Sequence, residues 1–340
     1  MNCPQVEAYK LEWVGQTPSQ PLGMDSVPQI VHSFSPRQNL RYPIPRAGEY
    51  GILIYAGGIA ANSPVSSAMR FIHLCLVVLL FPLPGSTEEF PIFDAHIHYS
   101  HDAWAPYPPE KAISILREAG VTGALLSSSN DEGQQRLYAL APDLIIPELR
   151  PYRRRGETRS WVNDETVIGY LQENLNARGY VGIGEFHVDG ADADLPVVKR
   201  TVELARERGL LLHAHSDSDA VERLFRQWPE ARILWAHAGF ASASRVGDML
   251  RKYRKLWCDL SFRYEIANGN RIHPEWRALF LEFPDRFMVG TDTYTPGRWE
   301  EVADHARWAR EWLALLPRSV AEAIAWKNGE RVFGSDTNTN

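Results

Sequence analysis

The sequence predicts an α/β protein: a closed (β/α)8 TIM barrel over residues 87–334, behind an irregular N-terminal extension. Three observations predict it. Short apolar runs recur at about residues 91–97, 121–127, 143–149, 180–186, 209–215, 232–237, 256–261 and 286–291. Stretches of helical period separate them, and several of those stretches close on glycine. Eight strand–helix units in about 245 residues suit a closed barrel better than an open doubly wound sheet, which usually has fewer strands.

The apolar runs are continuous rather than alternating, as parallel strands covered on both faces require. Between them, 194–208 carries Leu195, Val198, Val202 and Ala205 on one helical face, and 300–316 carries Val302, Ala306, Ala309, Leu313 and Leu316. In "REAGVTG", "NARGYVG" and "RERGLLL", Gly120, Gly179 and Gly209 are expected to take the left-handed conformation that closes a helix before the next strand. No GxGxxG or Walker loop follows any strand.

Composition narrows the function. The chain has 340 residues, 44 % hydrophobic and 23 % charged, the balance of a globular protein with a substantial core. A net charge of −6 argues against a nucleic-acid partner, whose phosphates need basic surface. Cys3, Cys75 and Cys258 form no CxxC and no paired framework, so neither a thiolate metal site nor a disulfide scaffold is indicated.

Residues 1–68 show no sustained period and have no assigned fold. Residues 69–86, "MRFIHLCLVVLLFPLPGS", have the layout of a signal peptide: Met69, one arginine, an apolar run too short for a stable membrane anchor, then Gly85 and Ser86. The expectation is translation from Met69 and export to the periplasm or medium; with a genuine extension in front, a cytoplasmic location and a buried apolar element are expected instead. Residues 335–340 are expected to form a disordered tail.

Polar residues collect where the predicted strands end. The first closes on His96 and His98, which share a face because side chains alternate along a strand. The fourth closes on Glu185 and His187, the fifth on His213, His215 and Asp217, the sixth on His237 and the eighth on Asp292. Barrel active sites are built at that end. Imidazoles and carboxylates gathered in a desolvated mouth need a cation, and a thiolate-free set suits Zn²⁺, with Mn²⁺, Fe²⁺ or Ni²⁺ as alternatives. On strand five His215 is preferred as ligand for its place nearer the strand end, and His213 is the alternative, one layer deeper.

"FDAHIH", "GIGEFH", "LLLHAH", "WAHAGF", "GTD" and "WKNGERVFG" together resemble the amidohydrolase superfamily, in its amidohydrolase-related TIM-barrel branch, over about residues 91–334. The resemblance implies that His96, His98 and Asp292 bind a first divalent metal and that Asp292 also handles the proton of the attacking water. It implies that Glu185 bridges two ions as in TatD-type hydrolases, and that His215 and His237 hold the second. In single-metal relatives the fifth-strand histidine joins the sole ion and His237 contacts water or substrate. His187 and His101 are expected to be loop or substrate contacts. The reaction implied is hydrolysis of an ester, lactone, amide or phosphoester by metal-activated water. A single-metal lyase removing carboxylate and a non-catalytic metal- or ligand-binding barrel are the alternatives.

The loop after strand three holds Arg150, Arg153, Arg154, Arg155 and Arg159, and later loops add Arg263 and Arg298. Guanidinium forks bind carboxylate and phosphate, so a small anionic substrate is expected at Arg150, Arg153 and Arg263, the arginines nearest strand ends. The alternative is a solvated loop face paired with Glu148, Glu157 and Asp164. Trp161, Tyr152, Tyr264 and Tyr294 are candidates for an aromatic wall.

Overall fold

Eight parallel strands alternate with eight helices in the computed structural model, which describes residues 90–334. The leader expected at 69–86, the extension 1–68 and the tail 335–340 lie outside the described residues. In chain order the units are β1 (Ile92–His98), α1 (Pro109–Glu118), β2 (Val121–Ser127), α2 (Glu132–Leu140), β3 (Ile145–Pro147), α3 (Thr166–Ala177), β4 (Gly182–His187) and α4 (Pro196–Arg208). There follow β5 (Leu211–His215), α5 (Ser218–Gln227), β6 (Ile233–Trp235), α6 (Ala243–Lys252), β7 (Leu256–Asp259), α7 (Pro274–Glu282), β8 (Phe287–Met288) and α8 (Val302–Leu313).

The ladders run β1–β2–β3 and β4–β5–β6–β7–β8, and two seams close the ring. At one, the Leu149 N–H donates to Gly182 O at 3.0 Å and the Gly184 N–H to Leu149 O at 2.9 Å. At the other, Ala95 N–H donates to Val289 O at 2.9 Å and Asp292 N–H to His96 O at 2.7 Å. Buried Asp94 fastens this second seam, accepting from the Thr291 hydroxyl at 2.7 Å and from the Thr291 N–H at 3.1 Å. Burial is the largest influence on that carboxyl and pushes its pKa up to about 6.

Local chemistry sets the helix ends. Pro109, Pro196 and Pro274 occupy first turns, where a missing N–H costs nothing. Asp217 caps α5 by accepting from the Ala220 N–H, and Ser242 caps α6 by accepting from the Arg245 N–H. Gly120 and Gly209 have positive φ as expected. Gly179 does not: α3 ends at Ala177 on an extended Arg178, whose guanidinium holds Asp131 and Asn174, so no left-handed residue is needed there.

The lower barrel is filled by Phe93, Ala95, Leu125, Leu211, Leu234, Met288 and Phe333, each contributing about 1–3 kcal/mol of burial. Phe333, from the last helical segment, stacks on Phe93 at 5.8 Å, and Asn328 donates to the carbonyls of Pro284 and Phe287 beneath β8. This hydrocarbon plug leaves the upper barrel to polar groups. The pairing of β1 with β2 is irregular between Asp94 and Ile97, so Phe93 and Ala95 join the plug below while His96 and His98 reach the site above. An equivalent irregularity lies between Gly184 and Phe186 in β4. Gly184 there lies so close to His213 that an added Cβ would meet its carbonyl oxygen at 2.5 Å.

Candidate active site

Four strand ends bring five imidazole and carboxylate side chains together. His96 and His98 come from β1, Glu185 from β4, His237 from the turn after β6 and Asp292 from the turn after β8, all buried. His98 Nε2 lies 3.1 Å from His96 Nε2, 3.3 Å from Glu185 Oε2 and 3.3 Å from Asp292 Oδ1. His96 Nε2 lies 3.6 Å from Glu185 Oε1 and 3.7 Å from Asp292 Oδ1, and His237 Nε2 is 3.7 Å from Asp292 Oδ2.

The outer nitrogens explain this convergence. His98 Nδ1 sits 3.2 Å from the Ser127 carbonyl and His237 Nδ1 3.1 Å from the Ser261 carbonyl. A carbonyl only accepts, so each Nδ1 carries the proton and each Nε2 turns a lone pair inward. His96 Nδ1 faces Asp259 Oδ2 at 3.2 Å to the same effect. Lone pairs directed at one another across 3.1 Å, with Asp292 Oδ1 buried and without a hydrogen bond, are a donor set that fits a divalent cation. The electrostatics agree. Burial opposes a charge on His96, but the carboxylates of Asp292, Asp259 and Glu185 outweigh it and hold its pKa well above the usual value. Burial likewise opposes ionisation of Glu185 and Asp292, yet their polar neighbours hold both carboxyls well below their usual range, His187, Arg150, His96 and a hydrogen bond from His215 at Glu185 and His96 and His98 at Asp292.

His215 lies beside this cluster, its Nδ1 2.7 Å from Glu185 Oε1. His187 stacks on the His215 ring at 4.0 Å, and its Nε2 is 4.0 Å from the same oxygen. Burial drives the His187 pKa down to about 3 and the His237 pKa to about 4. His213 lies deeper: its Nδ1 meets Glu148 Oε1 at 2.8 Å and its Nε2 is 3.5 Å from Asp259 Oδ2. His101 is exposed on a short helix outside the cavity.

Two left-handed turns carry catalytic candidates, and arginines brace both. His237, Ala238, Gly239 and Phe240 all have φ between 49° and 63°, which ends β6 two residues before the predicted 237 and costs a non-glycine residue about 1–2 kcal/mol. Arg263 holds this turn by donating to the His237 carbonyl at 2.7 Å and the Ala241 carbonyl at 2.7 Å. Asp292 has φ 50°, and Arg298 donates to its carbonyl at 2.7 Å and to that of Thr291 at 2.6 Å.

The expected anion-binding arginines are therefore corrected in part. Arg150 does line the cavity, but its Nη2 is held by Glu185 Oε2 at 2.5 Å. Arg153 is held away from it by Glu157, Asp164 and Thr166, and Arg263 is the brace just described. Arg155 takes the place expected of Arg153: it lines the cavity while paired with Asp102. The aromatic wall also differs. Tyr294 belongs to it with Phe240 and Phe262, whereas Tyr152 and Trp161 are buried behind β4 and Tyr264 packs on His305 and Trp308. The whole cavity measures about 460 Å³.

Sequence reasoning passed over Asp259, whose buried carboxylate ties His96 to the His237 N–H at 3.2 Å and to Ser261. It also passed over Glu148 as the partner of His213. Each is a lone carboxylate directly after an apolar run, "LWCD" and "LIIPE", the signal that singled out Glu185.

Comparison with known proteins agrees with this architecture. The family model for amidohydrolases matches residues 93–335. A TIM-barrel protein of Bordetella bronchiseptica described as uncharacterized, Bb4693, superposes with TM-score 0.52 at 14 % identity, covering 71 % of this chain and 98 % of that one. The TatD homologue YJJV of Escherichia coli K12 superposes with TM-score 0.51 at 18 % identity, covering 71 % and 97 %. At such identities the likeness establishes the barrel fold alone. No curated protein matches the chain.

Proposed function

The chain belongs to the amidohydrolase family, and from that premise we propose that it is a metal-dependent hydrolase cleaving an ester, lactone, amide or phosphoester bond of a small anionic substrate. The observation that carries this reading is the meeting of His96, His98, Glu185, His237 and Asp292 at one end of a closed barrel. Those residues would hold the metal, one ion or two, and an imidazole–carboxylate set without thiolate suits Zn²⁺. A bound divalent ion supplies Lewis acidity and lowers the pKa of water from about 15.7 towards about 7.

The chain's own residues do the rest. Asp292 Oδ1 faces the His96 and His98 nitrogens, leaving Oδ2, beside His237 Nε2, to receive a proton from water and return it to the leaving group. His237 Nε2 lies 3.7 Å from that oxygen, in a turn fixed by Arg263. Arg155 and Ser100 offer donors to a substrate carboxylate or phosphate, while Phe240, Phe262 and Tyr294 cover its apolar part and exclude water. Export stands on residues 69–86 alone, and a native N-terminus near residue 87 is the result expected from mass spectrometry.

Chelator-treated protein, assayed on lactones, carboxylic esters and phosphoesters, is expected to lose turnover and to regain it with Zn²⁺. Turnover unchanged by complete metal removal overturns the proposal. The Arg150–Glu185 pair favours a second reading, because a carboxylate engaged by guanidinium suits a one-ion lyase that removes carboxylate from an acid. Release of carbon dioxide at one bound ion per chain would select it.

A further inference from the structure

We propose that His187 binds the substrate as a neutral hydrogen-bond donor, its Nε2–H meeting an acceptor oxygen, and that Tyr152 is the positioning residue that fixes it in this form. The proposal rests on the hydrolase reading above and names the group that holds the substrate from the β4 side. It follows from counting hydrogens around Tyr152. The phenol is buried, and burial pushes its pKa up, so the hydroxyl keeps its hydrogen. The oxygen accepts the His187 backbone N–H at 2.7 Å, and among the described residues His187 Nδ1, at 3.0 Å, is the acceptor in reach of the O–H. With a proton on Nδ1, two N–H groups would converge on that oxygen and the buried hydroxyl would be left without an acceptor. Nδ1 therefore accepts, and the ring proton sits on Nε2.

This is the reverse of the neighbouring histidines. His98 and His237 set Nδ1 against the carbonyls of Ser127 and Ser261 and so turn a lone pair inward, whereas His187 turns a hydrogen inward. Its Nε2 is beyond hydrogen-bond reach of Glu185 Oε1, at 4.0 Å, and the ring lines the cavity with 29 % of the side chain exposed, open to a bound molecule. The residue is held from behind: the Trp161 indole donates to the His187 carbonyl at 2.9 Å, and the His215 ring stacks on the imidazole at 4.0 Å. Tyr152 and Trp161 thus serve the cavity by placing this donor rather than by walling it. A fixed neutral N–H matches a carbonyl, carboxylate or phosphoryl oxygen and opposes an ammonium or amide N–H. It joins Arg155 and Ser100 among the donors that line the cavity.

Nitrogen NMR of full-length protein with isotope-labelled histidine reads the tautomer, His187 being identified by the signals missing in His187→Gln. The proton is expected on Nε2 in chelator-treated protein and with Zn²⁺ bound alike, and Tyr152→Phe is expected to release the ring to a mixture of tautomers. Inorganic phosphate, added to zinc-loaded protein after unbound metal is removed, is expected to shift the His187 Nε2 signal and to bind about tenfold more weakly to His187→Leu. His187→Gln, which keeps an N–H donor, should recover most of that loss, with Zn²⁺ affinity the same in wild type and both variants. The wild-type spectra decide if circular dichroism shows that His187→Leu does not fold. A proton on Nδ1, an Nε2 that gives up its proton to zinc, or phosphate bound equally by wild type and His187→Leu overturns this proposal and leaves the metal-dependent reading standing. Turnover unchanged by complete metal removal, with His187 behaving as stated, overturns that reading alone. Wild-type protein that takes neither Zn²⁺ nor phosphate overturns both.

Discussion

Replacing Asp259 tests how the buried layer beneath the site sets its chemistry. The carboxylate is fully buried. Oδ2 faces His96 Nδ1 and accepts the His237 N–H, both at 3.2 Å, while Oδ1 accepts from the Ser261 N–H at 3.1 Å and the Ser261 hydroxyl at 2.5 Å. In Asp259→Ala the Ser261 hydroxyl can accept from His96 Nδ1, 3.3 Å away, but the His237 and Ser261 N–H donors remain buried without an acceptor. At about 1–3 kcal/mol for each stranded donor, the loss is about 2–6 kcal/mol, a large part of the 5–15 kcal/mol typical of a whole domain. Asp259→Asn keeps one acceptor oxygen and sets its amide hydrogens against the other donors, so about 1–3 kcal/mol is expected. Either change frees His96 Nδ1 from its fixed protonation, and metal affinity should fall about 10–100-fold. Urea unfolding in chelator measures the first effect and Zn²⁺ titration of folded Asp259→Asn the second. An Asp259→Ala midpoint equal to wild type, together with Asp259→Asn zinc affinity within twofold, would refute the reasoning.

Asp292→Asn should retain bound metal through His96, His98 and Glu185 yet lose at least 100-fold in kcat, because its amide cannot accept a proton; metal counting with steady-state kinetics checks this. Arg155→Ala should raise KM for an anionic substrate about tenfold with kcat little changed, whereas Arg153→Ala, held by Glu157 and Asp164, should leave KM alone. Asp94 has a native pKa of about 6 against 3.8 for the free side chain, so between those values the folded state binds more protons and this group's contribution to stability falls as pH rises. At 1.36 kcal/mol per pH unit that loss is about 3 kcal/mol, and Asp94→Asn removes it. The stability of Asp94→Asn relative to wild type should therefore rise between pH 4 and pH 7 in urea unfolding; a constant difference contradicts the assignment. Gly184→Ala should destabilise by more than 1 kcal/mol in the same assay, since its methyl group would meet the β5 backbone.

The barrel was legible because its strands are apolar on both faces and its helices on one, a contrast that needs no long-range information. The histidines that gather at the site were legible for the same reason: each stands at the end of an apolar run. Asp259 was hidden because the seventh run was read through to residue 261, which placed the carboxylate inside a strand instead of at its end. His187 fell one residue past the predicted fourth strand, so it read as a loop residue although β4 includes it. The arginines misled for a different reason. Whether a guanidinium meets solvent, a carboxylate or a strained turn depends on partners such as Asp102 for Arg155 and the His237 carbonyl for Arg263, which sequence spacing does not reveal. The left-handed turns at His237 and Asp292 were equally invisible, since neither residue is a glycine and the braces lie 26 and 6 positions along the chain.

Anomalous diffraction at the zinc absorption edge, from crystals of protein loaded with Zn²⁺, tests the central claim most directly. The account predicts a peak about 2.0–2.2 Å from His96 Nε2, His98 Nε2 and a carboxylate oxygen of Asp292. A saturated crystal with zinc only on surface side chains and none between those three residues would contradict it.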